Sequence, residues 1–117
     1  MTGAQRLRRS QRLAAADVGL ALKSGRRFRG DRFSLYGRPN AVGLARIALV
    51  VPKKLVPRAV DRNRIRRVAR ETIRRHQEQL LGLDLVVRLV QRCGNEPVTA
   101  ADLLPLLGRC ADAFPDR

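Results

Sequence analysis

The stretch KKLVPRAVDRNRIRRVARETIRR, Lys53 to Arg75, decides how the rest of the chain is read. Projected as a helix at about 100° per residue, it separates into two faces. Ile65, Val68, Ala69, Thr72, Ile73 and, further on, Leu80 fall on one arc suited to a core. Arg62, Arg66, Arg70 and Arg74 follow one another at i, i+4, with Asn63 and Arg67 beside them. Like charges at that spacing repel by roughly a few tenths of a kcal/mol per pair, so stability alone does not place them there. A polyanion lying along the helix does, because each guanidinium can hold a phosphate through two parallel N–H bonds. Lys53, Lys54, Arg58, Arg64 and Arg75 add to the charge, and only Asp61 and Glu71 oppose it. The plainer alternative is a solvated charged face, but such faces ordinarily mix both signs. Pro57 suits a first helical turn, and Asp61 lies near enough to cap it or complement its dipole.

The whole chain carries the same message. Its 117 residues allow one domain with a modest core, and 44% hydrophobic content favours folding over a disordered basic tail. Lys+Arg is 25 against 10 for Asp+Glu, a net charge of +15. Arginine supplies nearly all of it, and arginine stacks on bases as well as pairing with phosphates. Membrane binding explains the charge less well. No apolar run approaches the roughly 20 residues of a spanning helix, and the basic helix lacks an aromatic or leucine-rich face to anchor it in an interface. No signal-peptide core follows MTGAQRLRRSQRL. A cytoplasmic protein without a membrane partner is expected.

Catalytic chemistry is hard to find. An enzyme acting alone needs an activated nucleophile, a metal cage or paired carboxylates. His76 is the only histidine and projects near the core side of the basic helix. The carboxylates are scattered, and no glycine-rich phosphate loop is present. Cys93 and Cys110 are far apart with no CxxC spacing, which favours thiols in a reducing compartment over a metal site. No catalytic residue, metal site or bound cofactor is expected in the chain itself.

Outward from the basic helix, LARIALVV (residues 44–51) reads as a strand stopped by Pro52. LDLVVRLV (residues 83–90) reads as another, after Gly82 closes the helix. Strand, long helix and strand in that order predict a parallel pair. Residues 1–12 read as a flexible basic N-terminus. A helix over 14–24 is expected to turn Ala14, Val18, Ala21 and Leu22 to the core and to end at Gly25. Residues 25–30 form a basic turn or short edge strand, 32–36 a strand, and 37–43 a loop. Thr99 and Asp102 resemble a capping box opening a last helix through about Arg109, kinked by Pro105, with 110–117 as a tail. Residues 1–117 thus form a single α+β domain. Phe33 and Tyr36 have opposite strand parity. For Phe33 core burial and base stacking are both open, whereas Tyr36 at the strand end can reach solvent.

The run VVPKKLVPRAVDRNRIRRVARE, residues 50–71, resembles the protein subunit of bacterial ribonuclease P. That family has a strand ending in a lysine pair (here Lys53 and Lys54), an Ala-Val step (Ala59, Val60) and an Arg-Asn-Arg signature (Arg62, Asn63, Arg64). Lys23-Ser24-Gly25, Phe33 to Tyr36 and Arg46 to Leu49 resemble the family's other elements. The resemblance implies an αβββαβα two-layer sandwich with a left-handed βαβ crossover, which handedness rules alone argue against. It also implies that the catalytic RNA subunit performs endonucleolytic 5′ maturation of tRNA with Mg²⁺. Lys53, Lys54, Arg58, Arg62, Asn63, Arg64, Arg66, Arg67, Arg70 and Arg74 would contact that RNA. Val18, Leu22, Arg32, Phe33 and Tyr36 would line a cleft for the 5′ leader of precursor tRNA. The family usually carries an aromatic residue at the position of Val18 and often at Leu22, which this chain lacks. Pro52 and Val56-Pro57 also depart from its pattern. The rival expectation is a non-catalytic structural RNA-binding protein such as a ribosomal protein.

Overall fold

The computed structural model describes residues 11–92, 94 and 96–115. Its elements are α1 (Ala15–Ser24), β1 (Arg26–Arg29), β2 (Phe33–Pro39), β3 (Arg46–Val50), α2 (Ala59–Arg75), β4 (Leu83–Leu89) and α3 (Leu104–Ala113). Short 3-10 turns at Gln77–Leu80 and Ala100–Asp102 lead into β4 and α3. This is the expected αβββαβα order. The sheet runs β1-β2-β4-β3, with β4 antiparallel to β2 and parallel to β3, so α2 makes the crossover between parallel strands.

Strand parity sorts the side chains. Phe28, Phe33, Leu35, Ile47, Leu85, Val87 and Leu89 point to one face and form the core with Ile65, Ala69 and Ile73 of α2 and Leu106, Leu107 and Cys110 of α3. The opposite face carries Arg27, Ser34, Tyr36, Arg46, Asp84, Val86 and Arg88, and α1 lies across it. Arg46 fixes that placement by donating to Asp84 and lying 3.8 Å from Asp17 of α1. Ala21 of α1 is fully buried there.

Several local expectations give way to backbone chemistry. β2 continues through Gly37 and Arg38 to Pro39, where a loop was expected, because each residue pairs with β4. Gly37 is needed inside that strand: a Cβ there would sit 2.6 Å from Cys110 Sγ. Pro57 precedes α2 rather than entering its first turn, with Arg58 at the N-cap. The helix ends at Arg75, not at Gly82, whose φ of +81° instead turns the chain into β4. Thr99 and Asp102 do form a capping box, but it opens the 3-10 turn. Pro105 sits in the first turn of α3 and causes no kink there, since a residue at that position has no intrahelical N–H bond to make and the missing donor costs nothing. α3 runs past Arg109 to Ala113, so Cys110 belongs to the core and not to a tail.

In α1 only Ala21 is buried; Ala14 is exposed, Val18 half-buried and Leu22 exposed. The N-terminal expectation lies mostly outside the described residues. Its last two positions are ordered: Gln11 is buried with Nε2 donating to the Ala45 carbonyl at 3.0 Å, and Arg12 bridges to Ile47 on β3.

Candidate nucleic-acid interface

α2 owes its position to a short apolar stripe. Ile65, Ala69, Thr72 and Ile73 are buried, and Thr72 satisfies its hydroxyl by donating to the Val68 carbonyl at 2.8 Å. Val68 packs beside them, and the basic side of the helix faces solvent, where the four-arginine row divides by function. Arg62 folds back, its Nη1 donating to the carbonyls of Val56 at 3.0 Å and Pro57 at 2.7 Å. It therefore closes the loop that leads into the helix. Arg74 donates to Glu71 at 2.6 Å, and Arg75 donates to the same carboxylate at 3.1 Å. Hydrogen bonds from Arg74, then Arg75, lower the Glu71 pKa to about 2.

Between these ends the charge is open. Arg64, Arg67 and Arg70 are exposed, and among the described residues none has a carboxylate partner. Arg66 Nη1 lies 3.4 Å from Asn63 Oδ1, which aligns the two side chains. Arg58 is held only loosely by Asp61, at 3.9 Å. Lys53 and Lys54 are exposed on the turn before the helix. Guanidiniums spaced one helical turn apart, with an amide between them, suit the phosphates and sugar hydroxyls of an RNA backbone.

A second surface lies on the α1 face of the sheet. A groove of about 410 Å³ is lined by Arg27, Tyr36, Pro52, Lys54, Arg88 and Val90, among others. The Arg27 guanidinium stands 5.6 Å over the Tyr36 ring and lies 3.4 Å from Ser34 Oγ. An aromatic ring ringed by cations is the arrangement that stacks a base while holding its phosphate. Lys54, expected beside the helix, belongs to this groove as well.

The structure separates the residues expected of the leader cleft. Tyr36 is half-exposed in the groove. Phe33 is a correction: its parity turns it to the core, where it is 1% exposed and out of reach of any base. Arg32, just before β2, has its carbonyl accepting from the Val90 N–H at 2.8 Å at the edge of the groove, but its guanidinium lies 3.4 Å from Glu96 and 3.5 Å from Asp102 and is not among the lining groups. Val18 and Leu22 sit on α1 over this face but are not among the residues lining the groove.

Arg27 and Arg88 were not anticipated. The signal was present: Arg88 is the lone cation in the otherwise apolar second half of β4, and it shares the parity of Tyr36. Among the described residues no group of three His, Cys, Asp or Glu side chains is placed to hold a metal ion. No helix among them is long and apolar enough to cross a membrane. Asp84, a buried carboxylate on the α1 face of the sheet, is committed to Arg46 and Asn40, each donating at 2.8 Å.

Known proteins share this arrangement. The family model described as Ribonuclease P matches residues 4–105. The ribonuclease P protein component of Chromobacterium violaceum is 41% identical over 113 residues, covering 92% of this chain and 93% of its own. That of Azoarcus sp. is 46% identical over 91 residues, 72% of each chain. The solved ribonuclease P protein of Staphylococcus aureus superposes with a TM-score of 0.71 at 27% identity, over 88% of this chain and 94% of that one. The Thermotoga maritima protein gives 0.70 at 29% identity, over 90% and 96%. With a family match over most of its length, these relatives and a shared fold of four strands and three helices, the chain belongs to the ribonuclease P protein family.

Proposed function

We propose that the chain is the RNA-binding protein component of ribonuclease P, gripping the catalytic RNA through α2 and the 5′ leader of precursor tRNA through the groove around Tyr36. The observation that carries the first half is the open charge of Arg64, Arg66, Arg67 and Arg70, with the Asn63 amide among them, displayed on a helix whose other side is anchored in the core. The Arg27–Tyr36 pair supports the second half, because it combines a stacking surface with a phosphate partner. Lys54 lies between the two surfaces and serves both.

In this reading hydrolysis belongs to the RNA, with Mg²⁺ held by RNA oxygens. Glu71, on the arginine face, is occupied by Arg74 and Arg75, which supports that reading. The protein's part is to lower the electrostatic cost of bringing two polyanions together. A cytoplasmic location, where such RNAs are processed, goes with that reading.

Salt dependence of binding to the RNA subunit tests it. Each phosphate contact removed flattens the log–log salt slope by roughly one, so Arg66→Ala and Arg70→Ala should each do so. Unchanged slopes would remove α2 from the interface.

A further inference from the structure

The groove over Tyr36 does not end at the sheet. Its wall residue Arg27 also lines a second groove, formed by Arg26, Phe28 and Arg29 of β1 with Arg109 and Asp112 of α3. β1 is the outer strand of the sheet, on the edge opposite β3, so this second groove wraps around the edge from the α1 face toward α3. The turn is well built. Arg109 donates to the Arg29 carbonyl at 2.6 Å, and Arg26 lies 5.6 Å over the Phe28 ring.

Charge on an edge strand has a simpler use, which is to block edge-to-edge pairing with another chain. A single cation serves that purpose. Here three arginines occupy a four-residue strand, and among the described residues none has a carboxylate partner. Only Asp112 offsets them within the groove.

We propose that the β1 edge is a second single-strand RNA site, continuous with the Tyr36 groove, which takes leader nucleotides lying beyond those held at Tyr36. The inference rests on the leader-binding reading of that groove. A single strand fits because it can pass from one sheet face around an edge within the width of one strand. A duplex, stiff over many base pairs, cannot follow that path. Arg27 is the hinge of the track, and Arg26 and Arg29 hold phosphates past it.

The test uses the complete ribonucleoprotein and two precursor tRNAs, with leaders of about four and about sixteen nucleotides, the ends of the usual range of single-strand site sizes. With Arg26→Ala/Arg29→Ala, affinity for the long-leader substrate should fall roughly tenfold and its salt slope flatten by about two, while the short-leader substrate is unaffected. Arg26→Lys/Arg29→Lys should restore most of the loss, since charge and not strand geometry is at stake. An equal loss for both substrates, or none for either, overturns the proposal. Tyr36→Ala is the separate control: it should weaken both substrates, and if it weakens neither, the groove reading itself fails whatever the edge variant does.

Discussion

Arg46 holds Asp84 through two parallel bonds, Nε to Oδ1 and Nη2 to Oδ2, each 2.8 Å long. The two residues are register partners on the parallel strands β3 and β4, the pair that α2 connects. Asp84 is 3% exposed, and its bond raises the Arg46 pKa above the ordinary value despite partial desolvation. This pair lies on the sheet face that α1 covers, and Asp17 of α1 approaches the same guanidinium. Asp84→Ala would leave the Arg46 charge facing only the more distant Asp17 carboxylate and should cost about 3 kcal/mol in urea unfolding. A loss below about 0.5 kcal/mol would show that water replaces the carboxylate freely.

Phe33 and Tyr36 stand on one strand and face opposite ways, so their replacements should separate stability from binding. Phe33→Ala should lower unfolding free energy by roughly 3 kcal/mol or more, since it empties the fully packed face. Tyr36→Ala should leave the fold nearly unchanged and weaken leader binding by roughly 1–3 kcal/mol, the value of one base stacked on an aromatic ring. Equilibrium unfolding and substrate titration on both variants check the division.

Arg62 and Arg66 should differ in the same way. Arg62→Ala removes the donor shared by the Val56 and Pro57 carbonyls, so it should reduce stability by roughly 1 kcal/mol besides weakening RNA binding. Arg66→Ala should affect RNA binding alone. Thermal unfolding of the two free proteins distinguishes them before any RNA is added.

Much of this was legible in the sequence, and the failures have physical causes. The α2 stripe and the strands 44–51 and 83–90 announce themselves because long periodic or apolar runs have few alternative readings. The length of β2 was missed because Gly37, Arg38 and Pro39 are turn residues by composition. Only the ladder to β4 and the close approach of Cys110 make them strand. Phe33 was ambiguous because parity tells which residues share a face but not which face is covered. Arg27 and Arg88 join Tyr36 through pairing across β1, β2 and β4, a relationship that exists only once the strand order is known.

Glu71 makes a pH prediction with a definite sign. Its folded pKa, lowered to about 2 from an ordinary 4.5, means the carboxylate favours folding at pH above 4.5. That contribution is lost as pH falls from 4.5 through about 2, and it is constant from pH 5 upward. Carboxyl NMR titration should therefore find Glu71 ionised at pH 3. Glu71→Gln should release Arg74 and Arg75 toward RNA, tightening binding a few-fold at low salt and steepening the salt slope. Weaker binding would mean that Glu71 positions these guanidiniums for their phosphates.

The measurement that bears most directly on the whole account is cleavage of a 5′-extended precursor tRNA by bacterial ribonuclease P RNA at low Mg²⁺, with and without the protein. The account predicts strong stimulation by a protein that is inert alone, and loss of stimulation with Arg66→Ala/Arg70→Ala. Absence of stimulation, or cleavage by the protein without RNA, would contradict it.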